Sequence, residues 1–123
     1  DEIKLVDLPG YGFSKMSLDK KKNLDILLDS YFSLRQSLRA AIIFMDIRHP
    51  LKNSDIQMME FCNRYRVPFI SVLTKSDKVS SSGISKATKA VEEILDSQSV
   101  IVTSSKNDEG FDKLSKKIIK FAE

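Results

Sequence analysis

Four times in succession, a short apolar run rich in β-branched residues gives way to a stretch whose apolar residues return every third or fourth place. The runs are "IKLVDL" (3–8), "AAIIFMD" (40–46), "PFISVL" (68–73) and "SVIVT" (99–103). The first periodic stretch carries Leu24, Leu27, Leu28, Tyr31, Leu34 and Leu38 within 18–38, and the second Met58, Phe61, Cys62 and Tyr65 within 54–66. The third turns Ile84, Ala87, Val91, Ile94 and Leu95 inward over 84–97, and Phe111, Leu114, Ile118 and Phe121 mark the last. A period near 3.6 is that of an amphipathic helix. A continuous apolar run bounded by charge, as in 40–46, is that of a strand buried on both faces. The alternation predicts an α/β fold, a three-layer parallel sheet with helices on both faces. Between these elements "RHPLKNSD" (48–55) is a loop in which Asn53 or Ser54 can cap the next helix, and "SSSG" (80–83) is another loop.

A chain of 123 residues suits a single domain with a modest core. Its net charge of +3 would help approach to RNA or a ribosome surface, but is equally ordinary for a cytosolic domain. One cysteine and one histidine exclude a disulfide framework and a structural zinc site. Cys62 falls in an apolar helical stripe and is expected in the core of a protein kept in a reducing compartment. His49 stands beside Pro50 with no Ser–Asp arrangement near it, which leaves a structural or partner-facing loop residue rather than a triad base. The sequence holds no 18-residue apolar run to span a membrane, and no secretory leader is expected.

Ligands of open parallel sheets bind beyond the carboxyl ends of the strands. There lie "DLPG" (7–10), "DIRHP" (46–50), "TKSD" (74–77) and "SSK" (104–106). Asp7 can hold a water of a Mg²⁺ shell, and the Gly10 N–H can approach a γ-phosphate because glycine has no Cβ. Pro9 and Gly10 would equally make a plain strand-ending turn. The Asp77 carboxylate can accept from two adjacent guanine donors, N1–H and the exocyclic amine, a pair adenine lacks. The Lys75 stem can lie along the base while its ammonium stays polar. Alternatively, Ser76 or Asp77 starts the next helical turn. Ser105 and Lys106 can offer N–H groups to a guanine carbonyl, with the Ser104 hydroxyl bracing the turn.

Taken together, "DLPGYGFSK", "DIRHPLKNSD", "LTKSDK" and "SSKNDEGFDKL" resemble the EngB/YihA-type GTP-binding proteins, within the Ras-like P-loop GTPases. The likeness runs from Leu5 to about Leu114. It implies a Ras-like G domain that binds GTP and GDP with Mg²⁺. It also implies a role in assembly of the large ribosomal subunit through that subunit or its rRNA, and in bacteria in normal cell division and septation. The setting would be the bacterial cytoplasm or an organelle stroma or matrix. Asp7, Leu8, Pro9 and Gly10 fall on the phosphate- and Mg²⁺-sensing motif. Thr74, Lys75, Ser76 and Asp77 fall on the base-specificity motif, and Ser104, Ser105 and Lys106 on the last base-contacting loop. Thr74 puts a hydroxyl where many GTPases have an Asn amide, as is usual in this family.

Two departures follow. Tyr11 stands where Ras-type enzymes place the Gln that orients the attacking water, so no catalytic residue is identified and hydrolysis is expected to be slow without a partner. "GFSK" (12–15) and Lys20–Lys22 resemble the mobile switch and its helix, the lysines facing solvent or ribosomal RNA. The second departure is the P-loop G-x-x-x-x-G-K-[ST]. Gly10, Gly12, Gly83 and Gly110 are followed by Tyr, Phe, Ile and Phe, never Lys. The expectation is a partial G domain over 1–123 that lacks its N-terminal strands and P-loop, with the direct Mg²⁺ ligands upstream. Such a fragment would bind nucleotide poorly and be inactive alone. The missing strand would leave a slot between the first two strands, open to swapping or dimerisation. The competing reading is a non-enzymatic flavodoxin-like interaction module in which the motifs are turn chemistry.

Overall fold

The computed structural model describes residues 2–8, 18–34, 36–95 and 100–123. The elements run α1 (Leu18–Leu34), β1 (Ala41–Asp46), α2 (Asn53–Arg64), β2 (Phe69–Thr74), α3 (Ser81–Ile94), β3 (Ile101–Val102) and α4 (Phe111–Ala122), with a 3₁₀ turn at Ser76–Lys78. The described strands form one parallel sheet in the order β1-β2-β3. β1 pairs with β2 from Ala41↔Phe69 to Asp46↔Thr74, and β2 with β3 at Val72↔Ile101 and Leu73↔Val102. This register brings the carboxyl ends of the three strands to one rim.

Alternation along each strand divides the core between two faces. Ile43, Met45 and Leu73 point to one face and bury with Leu24, Leu28 and Phe32 of α1, Met58, Met59, Phe61 and Cys62 of α2, and Ala87 and Val91 of α3. Each of the Leu, Ile, Met, Phe and Val side chains among these contributes about 1.5–3 kcal/mol through its removal from water. On the other face Leu114 of α4 buries against Ile70, Val72 and Ile101, with Phe111, Ile118 and Phe121 packed alongside. α1 and α2 are further tied by ring contacts of Phe32 with Phe61 and Tyr65, at 6.4 and 6.2 Å between centroids, and by a hydrogen bond from the Tyr65 hydroxyl to Asp29. Helices thus cover both faces, as the alternation predicts. None of the described helices is long and apolar enough to cross a membrane.

Several expectations are corrected. Residues 3–8 form no strand: the segment 2–8 is irregular, and Ile3, Leu5 and Val6 are exposed. A strand exists only with a ladder partner. Among the described residues β1 pairs only with β2, so no described residue pairs with its other edge, the segment 2–8 included. β1 is not buried on both faces, since α4 covers β2 and β3 and leaves Phe44 55% exposed. Leu27, Leu34 and Ile94 are also exposed, because α1 and α3 bury narrower stripes than their apolar content allows. "SSSG" is not a loop throughout: the Ser80 hydroxyl accepts from the Gly83 N–H at 3.2 Å and starts α3 at Ser81. Neither Asn53 nor Ser54 caps α2. The buried Asp55 reaches back instead, accepting the Lys52 N–H at 3.0 Å. Cys62 is fully buried, in keeping with its place in the helical stripe.

Candidate functional site

Beyond the rim, the residues after β2 and β3 are linked to each other. The Ser76 N–H donates to the Thr103 carbonyl at 3.1 Å, and the Thr103 N–H to the Leu73 carbonyl at 2.8 Å, so the β2–β3 ladder continues past its named ends. Ser104 and Glu109 exchange two backbone hydrogen bonds of 3.1 and 3.0 Å, closing the turn between them. The buried Ser104 hydroxyl does two things at once. It donates to Asp77 Oδ1 at 2.8 Å and accepts the Asn107 N–H at 3.1 Å. That hydrogen bond holds the Asp77 carboxyl below its ordinary range, with Lys78 and Lys106 adding to the effect, so Asp77 is ionised at neutral pH. Ser105 and Lys106 occupy the exposed outer part of the same turn.

Thr74 ends β2, and its hydroxyl donates to the Met45 carbonyl at 3.3 Å, which directs it to β1. Lys75 follows with a left-handed backbone, φ 61° and ψ 40°, a conformation costly for a residue with a Cβ. It is the turn that sets Ser76 under β3 and Asp77 against Ser104. Thr74, Lys75, Ser76, Asp77 and Ser104 are therefore brought together, with Ser105 and Lys106 on the adjoining turn. Asp7 and Leu8 stand apart. Asp7 is exposed and makes no hydrogen bond or ion pair among the described residues, whereas Leu8 packs on the α1–α3 core. Pro9, Gly10 and Tyr11 lie outside the described residues. Among the described residues no group of three or more His, Cys, Asp or Glu could hold a metal.

Two residues of the rim carry no role in the sequence reading. Asp46, at the end of β1, accepts from Arg48 three times: from its N–H and Nε on Oδ1 at 2.9 and 3.0 Å, and from Nη2 on Oδ2 at 2.7 Å. The Lys75 ammonium lies 3.5 Å from the same Oδ2. The Arg48 guanidinium holds the Asp46 carboxyl far below the usual carboxylate range. The signal for this cluster was present in "DIR", a carboxylate at a strand end with an arginine two places on. A cleft of about 360 Å³ lies at the opposite end of the sheet, bounded by Asn63, Pro68, Phe69, Lys117 and Phe121.

Comparison with known proteins agrees with this architecture. The family model described as ferrous iron transport protein B (FeoB_N) matches residues 1–118. The chain is 42% identical over 121 residues to the probable GTP-binding protein EngB of Mannheimia succiniciproducens, covering 95% of this chain and 59% of that protein. It is 39% identical over 117 residues to that of Kosmotoga olearia, covering 93% and 62%. It thus spans about three fifths of the length of these curated relatives. A crystal structure of a probable GTP-binding protein EngB superposes with a TM-score of 0.75 at 16% identity, over 94% of this chain and 76% of that one. At that identity the likeness is one of fold.

Proposed function

The chain belongs to the EngB-type proteins within the wider G-domain family, and from that premise we propose that it is the base-recognising part of a guanine-nucleotide switch. One observation carries the reading: the Ser104 hydroxyl ties Asp77 to the turn that bears Ser105 and Lys106. A carboxylate fixed and ionised beside an exposed turn suits a base with two adjacent donors and one carbonyl. In the proposed complex Asp77 accepts from guanine N1–H and the exocyclic amine, the N–H groups of Ser105 and Lys106 meet the carbonyl, and the Lys75 stem lies along the ring. Adenine would leave Asp77 desolvated without the two donors of the base.

The phosphate end is assigned to Asp7 and Gly10, with Mg²⁺ arriving on the nucleotide and Asp7 holding one of its waters. The chain would then be the part of a G domain that follows its P-loop, and the open edge of β1 would be the seat of the strand bearing that loop. Left empty, the edge would favour swapping or dimerisation. Hydrolysis is slow in this reading, with Tyr11 in the place of a water-orienting amide. The finer role, in assembly of the large ribosomal subunit and in bacterial septation, rests on the resemblance alone. Competition on the full-length protein tests the proposal: labelled GDP is displaced by GTP and GDP and not by ATP. Equal displacement by ATP would refute it and leave the loops as turn chemistry.

A further inference from the structure

We propose that Asp46 is a positioning residue for the base site, holding Lys75 in place before the nucleotide arrives. The proposal rests on the guanine reading above and extends it to a residue outside the base loops. Asp46 and Thr74 face each other across the β1–β2 ladder, so the carboxylate stands beside the residue that precedes Lys75. The ladder runs one bond further, from the Ile47 N–H to the Thr74 carbonyl at 3.0 Å, which fixes the distance between the two loops. Arg48 then fixes the orientation. Its three donors engage both carboxylate oxygens and prevent the group from turning. One side of Oδ2 remains for the Lys75 ammonium.

Lys75 would otherwise be poorly restrained. Its side chain is 57% exposed, and a lysine stem gives up much rotamer freedom when it is immobilised on a ligand. Its backbone is already set by the left-handed turn, and the ion pair sets the far end of the stem. With both ends held, the stem is ordered in advance and less affinity is lost on binding. Asp46 is 18% exposed, so its pull on Lys75 is screened less than that of a surface carboxylate. The same carboxylate also closes the turn after β1 through the Arg48 N–H. A structural role and a positioning role must therefore be separated by experiment.

A double-mutant cycle on the full-length protein, read as affinity for fluorescently labelled GDP, separates them. Asp46→Asn keeps the shape and removes the charge. It should weaken GDP binding about three- to fivefold when Lys75 is present and less than about 1.5-fold in a Lys75→Ala background. Asp46→Glu keeps the charge and should return affinity to within about twofold of the parent, a rescue that also serves if the Asn variant folds poorly. Equal losses in both backgrounds, or failure of Glu to rescue, would overturn the proposal and assign Asp46 to the turn alone. If the parent shows no guanine preference and Lys75→Ala changes nothing, the base-site reading itself has failed and the proposal falls with it.

Discussion

Gly110→Ala should be among the most damaging single-atom additions to this protein, and its effect should reach the proposed base site. Gly110 sits at the start of α4 with φ at +83°, where any residue with a Cβ bears about 1–2 kcal/mol of strain. The added Cβ would stand 2.1 Å from the Val102 carbonyl oxygen and 3.1 Å from both the Cα and Cγ2 of Thr103. Those atoms belong to β3 and its extension, so relief requires α4 or the strand end to move rather than a side chain to turn. Such a movement pulls at the Ser104–Glu109 bonds, each contributing about 0.5–1.5 kcal/mol. The sum is about 3 kcal/mol or more. In urea unfolding of the full-length protein followed by circular dichroism, the midpoint should fall by about 1–2 M with the slope unchanged. GDP affinity should fall as well, because the displaced turn carries Ser104, Ser105 and Lys106. Gly83→Ala is the control. Its Cβ would lie 3.2 Å from the Val79 Cβ, a contact offset by the gain in helix propensity, for a net change below about 1 kcal/mol. If the two variants unfold alike, the close approach of Gly110 to β3 is wrong and so is the argument built on it.

Asp77→Ala should reduce the preference for guanine over adenine nucleotides about 100-fold or more in the same displacement assay, without moving the unfolding midpoint as Gly110→Ala does. The Cys62 thiol, fully buried and pushed up by that burial to about 11, should resist a thiol reagent at pH 8 and react only when denaturant is added. Asp46 is held below the ordinary Asp value of 3.8 in the folded state. Its contribution to stability is therefore complete above that value and is lost as pH falls through the lower folded one. Acid unfolding curves of the parent and Asp46→Asn should differ most at neutral pH and converge at the acid end.

What was legible in the sequence was whatever depends on neighbours a few places away. The period of Met58, Phe61 and Cys62, and that of Ala87 and Val91, locates α2 and α3 because one helix face is a local property. The positions of "TKSD" and "SSK" after their strands were legible for the same reason. What failed depends on partners distant in the chain. "IKLVDL" has strand composition, but a strand is made by the edge it meets, and no edge meets it here. Phe44 reads as core within an apolar run, yet its burial is decided by whether a helix lies above β1. In the candidate site, "DIR" by itself gives Asp46 no partner beyond Arg48. Its link to Lys75 spans 29 positions and exists only through the register of β1 against β2. Ser80 shows a smaller miss of a different kind: a run of serines resembles a loop until one hydroxyl turns to the Gly83 amide.

The left-handed backbone at Lys75 has a consequence for how this chain responds to selection. Glycine would occupy that conformation at no steric cost, and asparagine at little. A library of variants sorted only for resistance to heat or protease should therefore enrich both at position 75. The same library sorted for nucleotide retention should deplete them, because neither brings an ammonium to Asp46. Where the two enrichment maps disagree in sign, they outline the positions at which this fold carries strain for the sake of a ligand.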